Sequence, residues 1–248
     1  MKTEFEKLQL QLTLLLYPDL VKPEYNILEY KGSKFKKKDV EKYAQLLMSI
    51  SFFLKKISRY PTYFEKFYVD EQIIPGYEAL EHHVHAYLED LETLKNKINN
   101  YISSLKNDIQ QIAANKLEIR DSIEWLRDKV IENFENVSTH RGQHRHKGYK
   151  FLDSNIVNGE AALIILEHDE INKLLTDKGR AEVTKMATES FEKAKLYWQD
   201  NARGNYGQVT GLVEQVVKAT RDTLLQFLDI KPFDPLTKEQ TSGAAHIT

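Results

Sequence analysis

The sequence predicts an all-α protein, a helical bundle that contains one very long, coiled-coil-like helix or a helical hairpin. Glycine and proline are scarce, with 10 and 6 in 248 residues, and they fall at the boundaries of the predicted elements. Apolar residues recur at spacings of three and four, and no stretch alternates as a strand would. The hydrophobic fraction of 41% and the charged fraction of 29% are typical of a globular chain.

Two helices are predicted near the start of the chain. The first covers residues 4–16, where leucines lie at helical spacing, and it ends before Pro18. The second begins after Asp39, whose side chain suits a helix N-terminus, and it ends before Pro61. We group residues 1–74 as an N-terminal helical region.

A long stretch follows, with neither glycine nor proline between Gly76 and Gly142. Steps of four and three connect an almost wholly apolar seam, which comprises Ile98, Ile102, Leu105, Ile109, Ile112, Lys116, Ile119, Ile123, Leu126 and Val130. An unbroken helix here would be roughly 95 Å long, so it protrudes or bends, most readily at Asn99, Asn100 or Asn115. The seam requires a partner helix from the same chain or from a second copy, and a homodimer is the simplest source.

The composition excludes several classes of protein. The absence of cysteine excludes disulfides, thiolate metal sites and cysteine nucleophiles. The first residues do not resemble a signal peptide, and no apolar run is long enough to span a membrane. We therefore expect a cytoplasmic protein. The polar segment 232–248 is predicted to be a disordered tail.

Residues 138–154 interrupt the helical pattern and predict a cationic loop. Six of the eight histidines form two clusters, His82, His83 and His85, then His140, His144 and His146. No acid lies between Glu135 and Asp153, so the loop is basic although the formal net charge is -2. Arginine binds phosphate through two hydrogen bonds, and histidine transfers protons near neutral pH. Together they suffice for metal-free RNA cleavage, in which a histidine deprotonates the 2′-hydroxyl and a guanidinium stabilises the charge on the phosphate.

Residues 141–146, RGQHRH, resemble the R-x4-6-H motif of the HEPN superfamily of helical ribonucleases. The next residues and the position of the motif after a long helix are similar as well, so the resemblance extends over a helical bundle at 75–231. It implies a metal-independent, cofactor-free endoribonuclease site, shared across a homodimer, with Arg141 binding phosphate and His146 as general acid/base. Further RNA contacts would come from His144, Arg145, Lys147 and Lys150. The usual roles in that superfamily are those of toxins and antiviral effectors, and a regulatory protein partner is a further expectation.

Other interpretations of the same residues stay open. The chain is alternatively a non-catalytic helical interaction or scaffold protein, with a coiled-coil dimer interface and a basic phosphate-binding loop. His144 could replace His146 as the working histidine. His140, His144 and His146 could instead bind a metal, but Gly142 predicts that no helix continues through them, and the cluster contains no carboxylate.

The last third of the chain predicts helices at 155–175, 178–201 and 206–229, closed by Pro232 and Pro235. Gly204 and Gly207 mark a turn between the last two. Two interpretations stay open for the residues around this turn, an RNA-binding groove and an ordinary turn. These residues are Arg203, Asn205, Tyr206 and Gln208. The first histidine cluster is predicted to form a polar face with Glu78, Glu81 and Glu89.

Overall fold

All secondary structure in the computed structural model is helical over the residues that it describes, which are 3–20, 36–66, 76–110, 116–147 and 154–230. The all-α prediction is therefore confirmed. The α-helices of these residues are α1 (Glu4–Leu16), α2 (Lys37–Ile57), α3 (Tyr60–Lys66), α4 (Gly76–Gln110), α5 (Lys116–Asn133), α6 (Glu135–Lys147), α7 (Ser154–Glu167), α8 (Asp169–Leu174) and α9 (Asp177–Leu228). The predicted boundary at residue 74 and the predicted tail at 232–248 lie outside the described residues.

The chain forms two compact units, and each is assembled from stretches that are distant in sequence. Unit 1 comprises Met1–Ser51, Lys97–Asp128 and Gly211–Thr248. Unit 2 comprises Phe52–Asn96 and Lys129–Thr210. The long helices α4 and α9 each contribute one part to unit 1 and another to unit 2, so neither unit is a continuous piece of sequence.

In unit 1, α1 forms where the sequence predicts it and is anchored at its first turn. Thr3 and Glu6 form a capping box, in which each side chain accepts a hydrogen bond from the backbone N–H of the other residue. Glu214 of α9 accepts hydrogen bonds from the backbone N–H groups of Glu4 and Phe5, at 2.9 and 3.0 Å. Because the first N–H groups of a helix lack partners within it, this carboxylate stabilises the start of α1.

The apolar seam is buried within a single chain. The seam residues with described side chains are all at most 7% exposed, and they are Ile98, Ile102, Leu105, Ile109, Ile123, Leu126 and Val130. The stretch is not one straight helix, since Lys106 of α4 pairs with Glu124 of α5, which would lie roughly 27 Å away along a continuous helix. The predicted bending point at Asn115 lies outside the described residues. Burial inside one chain removes the need for a second copy to cover the seam, and the homodimer itself stays a prediction.

Unit 2 has an aromatic core. The rings of Tyr60, Phe64, Tyr87 and Trp198 lie with centroids 5.2–6.5 Å apart, mostly edge to face or tilted, as aromatic rings prefer. These four residues are all at most 3% exposed. The core joins α3, α4 and α9.

The helix α9 is continuous from Asp177 to Leu228, so the predicted turn at Gly204 and Gly207 is wrong. Both glycines face open space, and each costs roughly 1 kcal/mol relative to alanine in a helix. The buried residues Ala202 and Val209 on either side supply packing that offsets this cost. The prediction gave glycine more weight as a helix breaker than as a tolerated residue in a well-packed helix.

The end of α9 has a geometry typical of helix C-termini. Asp229 takes a φ of 58°, in the left-handed region, and the N–H of Ile230 donates to the carbonyl of Leu225 at 2.9 Å. The predicted closure of the last helix shortly before Pro232 is thus confirmed.

Candidate functional site

The R-x4-6-H motif lies on α6 and not in a loop. The helix α6 runs from Glu135 to Lys147 and passes through Gly142, so the predicted helix break at this glycine is wrong. A Cβ at Gly142 would meet no other atom within 4 Å, which shows that the position lies beside open space and is not a forced turn. The buried residues Phe134 and Val137 fix the start of the helix against the rest of unit 2.

Arg141 is bound by a carboxylate of α4. Its Nε donates to one oxygen of Glu89 at 2.8 Å, and its Nη2 donates to the other oxygen at 2.9 Å. The hydrogen bonds to Glu89 raise the pKa of Arg141 although burial opposes them, and Glu92 contributes further, so the guanidinium stays charged. The pair is part-exposed, with side-chain exposures of 24% and 30%, and Glu89 does not engage Nη1.

A second polar cluster lies one turn along the same interface. The Ser138 hydroxyl donates to Glu92 at 3.1 Å and accepts from Lys95 at 2.9 Å, while Lys95 also contacts Glu92 at 3.2 Å. Ser138 precedes Arg141 on α6, whereas Glu92 follows Glu89 on α4. The two helices are therefore antiparallel where they meet, and polar side chains join them.

His140 faces away from this interface, towards the aromatic core. Its ring lies edge to face with Trp198 of α9, at 6.3 Å between centroids. Burial lowers the pKa of His140 below its usual value, since a charged imidazole would lose hydration there. This contact separates His140 from Arg141, which is bound on the α4 side of α6.

The remaining predicted residues are placed only in part. The backbone of α6 includes His144, Arg145, His146 and Lys147, but their side chains lie outside the described part of the chain, and Lys150 lies outside it altogether. Positions five apart on an α-helix are about 140° apart around its axis, whereas positions three apart share a face. Position 144 therefore lies on the same face of α6 as Arg141, while position 146 does not.

The antiparallel contact between α4 and α6 brings the two histidine clusters to one part of unit 2. The predicted polar face of the first cluster is correct only in part. His82 and His85 are exposed, whereas His83 is 8% exposed and packs against the rings of Tyr63 and Phe64. The turn residues expected near Gly207 also differ, because Asn205 lies within α9 and donates to the Tyr87 hydroxyl at 2.7 Å.

Sequence reasoning missed the residues that bind Arg141 and Ser138, namely Glu89, Glu92 and Lys95. Glu89 and Glu92 are three residues apart and therefore share a face of α4, which the sequence does show. Their register against α6, some fifty residues later, cannot be derived from that spacing. Within the ranges that the structure describes, no group of three potential ligands could hold a metal ion, and no helix is both long and apolar enough to cross a membrane.

No family model, no curated protein and no solved structure matches the chain. The HEPN resemblance consequently depends on residues 141–146 and their position after a long helical segment, and it stays a prediction.

Proposed function

We propose that this chain is a metal-independent endoribonuclease of HEPN type, active in the cytoplasm as a toxin or an antiviral effector. Arg141 binds the scissile phosphate, His146 transfers a proton, and a homodimer completes the site. The observation that supports this proposal best is the position of Arg141. It is a part-exposed guanidinium held in a fixed orientation by Glu89, on the helix that also bears His144 and His146.

The held guanidinium suits phosphate binding. Arginine has five N–H donors, and the pair with Glu89 engages Nε and Nη2, so Nη1 can reach a phosphate oxygen without breaking the pair. A positioned cation stabilises the charge that develops on the phosphate when the 2′-hydroxyl attacks. The basic residues that follow on α6 attract the RNA backbone, with Arg145 and Lys147 as the expected contacts.

The direct test is cleavage of single-stranded RNA by purified protein in EDTA. We expect Arg141→Ala to lower the cleavage rate by at least about 100-fold, as the loss of one donor that stabilises a transition-state charge does. His146→Ala should lower it by a similar factor, because proton transfer contributes about 100-fold or more. Arg127→Ala is the matched control, since Arg127 is a part-exposed arginine of α5 paired with a glutamate, Glu124.

Cleavage that persists in Arg141→Ala would contradict the proposal, as would cleavage that EDTA abolishes or cleavage that persists in both His146→Ala and His144→Ala. His144→Ala decides between the two candidate histidines, because position 144 shares the face of Arg141 on α6. The oligomeric state is measured by light scattering on the wild type, and a monomer that cleaves RNA would contradict the shared site alone.

One observation favours a second candidate, a non-catalytic helical interaction protein. The pair with Glu89 uses two of the donors that a bidentate phosphate contact would need. In that case Arg141→Ala lowers thermal stability, and neither the wild type nor the variant cleaves RNA. Arg141→Lys separates the two candidates, because lysine keeps the charge but lacks the planar fork. If the chain is a nuclease, this variant loses RNA cleavage. If it is an interaction protein, the variant keeps its binding to phosphate groups.

A further inference from the structure

Two exposed histidines lie on the side of α4 that contacts α6. His85 precedes Glu89 by four residues and His82 precedes it by seven, and both spacings keep side chains on one face of a helix. Both imidazoles are exposed. This face of α4 therefore continues from the carboxylate that binds Arg141 to a pair of titratable nitrogen bases.

The antiparallel register places His85 next to the end of α6. Glu92 contacts Ser138, and Glu89 contacts Arg141, so three residues backwards on α4 correspond to three residues forwards on α6. The backbone of α6 continues beyond Arg141 to Lys147. One helical turn before Glu89 on α4, His85 therefore lies opposite the helical turn of α6 that follows Arg141.

Cleavage of RNA by its 2′-hydroxyl requires two proton transfers. One base takes the proton of the 2′-hydroxyl as its oxygen bonds to phosphorus, and one acid protonates the 5′-oxygen that leaves. The products are a 2′,3′-cyclic phosphate and a 5′-hydroxyl, with no metal or oxidant consumed. The R-x4-6-H motif supplies a single catalytic histidine per chain, so a second proton-transfer group must come from a partner chain or from this one, and an imidazole suits this role near neutral pH.

We infer that His85 is this second imidazole and exchanges a proton with RNA that is bound at Arg141. The inference depends on the proposed function, which it extends by one catalytic residue from the same chain. Two other histidines of unit 2 are less suited, because His140 lies against Trp198 and His83 is buried against Phe64. Along α4, Glu81, His82 and Glu89 lie within about one turn of His85, and Arg141 binds Glu89 from α6.

The test is the pH dependence of kcat/KM for a fluorogenic RNA in EDTA, from about pH 5 to about pH 9. The wild type should give a bell-shaped profile, with one limb for the base and one for the acid. His85→Gln and His85→Ala should lower the maximum by about 100-fold and remove one limb, because one proton transfer is lost. His168→Gln, at an exposed histidine that precedes α8, is the matched control and should follow the wild type.

Thermal unfolding of both His85 variants should match that of the wild type, since the side chain is exposed. An active wild type whose His85 variants retain both limbs overturns this inference and leaves the proposed function intact, even if their rates fall uniformly. No cleavage by the wild type overturns the proposed function and this inference together.

Discussion

Unit 1 and unit 2 each place an aspartate of α4 where it accepts hydrogen bonds from a tyrosine and a lysine. The two sets are Asp108 with Tyr43 and Lys42 in unit 1, and Asp90 with Tyr60 and Lys56 in unit 2. Burial, together with the hydrogen bond to the aspartate, raises the pKa of both tyrosines, so both hydroxyls remain donors. The aspartates differ in depth, with 18% of the Asp108 side chain exposed and 10% of Asp90.

The units differ more in what their remaining polar contacts do. In unit 1, Glu214 stabilises the start of α1, a helix that also buries several leucines. In unit 2, polar pairs join α4 to α6, and among the described side chains of α6 only Val137 is buried. Among its described side chains, the helix that bears the candidate nuclease motif is thus joined to α4 by charges and hydrogen bonds. Few buried apolar contacts are typical of the less stable elements from which binding regions are drawn.

The largest expected effect is at the two aspartates. Asp90→Ala should lower the free energy of unfolding by about 3 kcal/mol, because it leaves the buried Tyr60 hydroxyl without an acceptor and Lys56 without its partner. Asp108→Ala should cost about 1 kcal/mol, since the Asp108 side chain is itself more exposed and water can replace it as hydrogen-bond acceptor. Urea denaturation measures both values. An equal loss at the two positions would show that burial depth does not distinguish the units.

The next effect concerns glycines of unit 2. Gly159 of α7 lies against the Tyr77 hydroxyl, which donates to the carbonyl of Ala187 at 3.0 Å, so a Cβ at position 159 has no room. Gly159→Ala should therefore cost about 2 kcal/mol through overpacking. Gly204→Ala, at a position beside open space in α9, should instead stabilise the protein by about 1 kcal/mol. Thermal or urea unfolding shows whether each variant is less or more stable than the wild type.

A double variant checks the cause of the loss at Gly159. Tyr77→Phe removes the hydroxyl that the new Cβ would meet, so it should recover part of the loss in the Gly159→Ala background. It should destabilise the wild type, where it removes the hydrogen bond to Ala187. Additive losses in the double variant would mean that the two residues do not interact.

The sequence predicts some of these features and not others, for identifiable reasons. The buried seam from Ile98 to Val130 follows from apolar periodicity alone, which is why the all-α class was predictable. The continuous helices through Gly142 and Gly204 were not, because contacts of neighbouring residues outweigh the low helix propensity of glycine. Beside Gly142 this contact is the ion pair of Arg141, and beside Gly204 it is the packing of Ala202 and Val209. The pair between Glu89 and Arg141 depends on the register of two helices, and local spacing carries no information about register.

The units should also respond to acid over different ranges, because each depends on a group whose pKa folding lowers. In unit 2, burial lowers the pKa of His140 below 6.5, so its contribution to stability is full above that pH and is lost as the pH falls through the folded-state value. In unit 1, burial alone would raise the pKa of Glu214, but the hydrogen bonds from Phe5 and Glu4 and the charge of Lys218 lower it below 4.5. The contribution of Glu214 to stability is therefore retained to lower pH than that of His140.

This difference in acid response is the smallest of the expected effects, and two variants isolate it. The glutamine in His140→Gln cannot gain a proton. As the pH falls from about 7.5 to about 5, the wild type should lose stability and the variant should not, while above that range the difference between them should stay constant. Glu214→Gln should be less stable than the wild type by about 1 kcal/mol near neutral pH, since a charged acceptor at a helix start is lost, and the difference should vanish in strong acid. Thermal unfolding of all three proteins across the pH range measures both differences. If His140→Gln follows the wild type through the whole range, the contact with Trp198 does not hold the imidazole neutral, and α6 is less firmly packed on α9 than the geometry indicates.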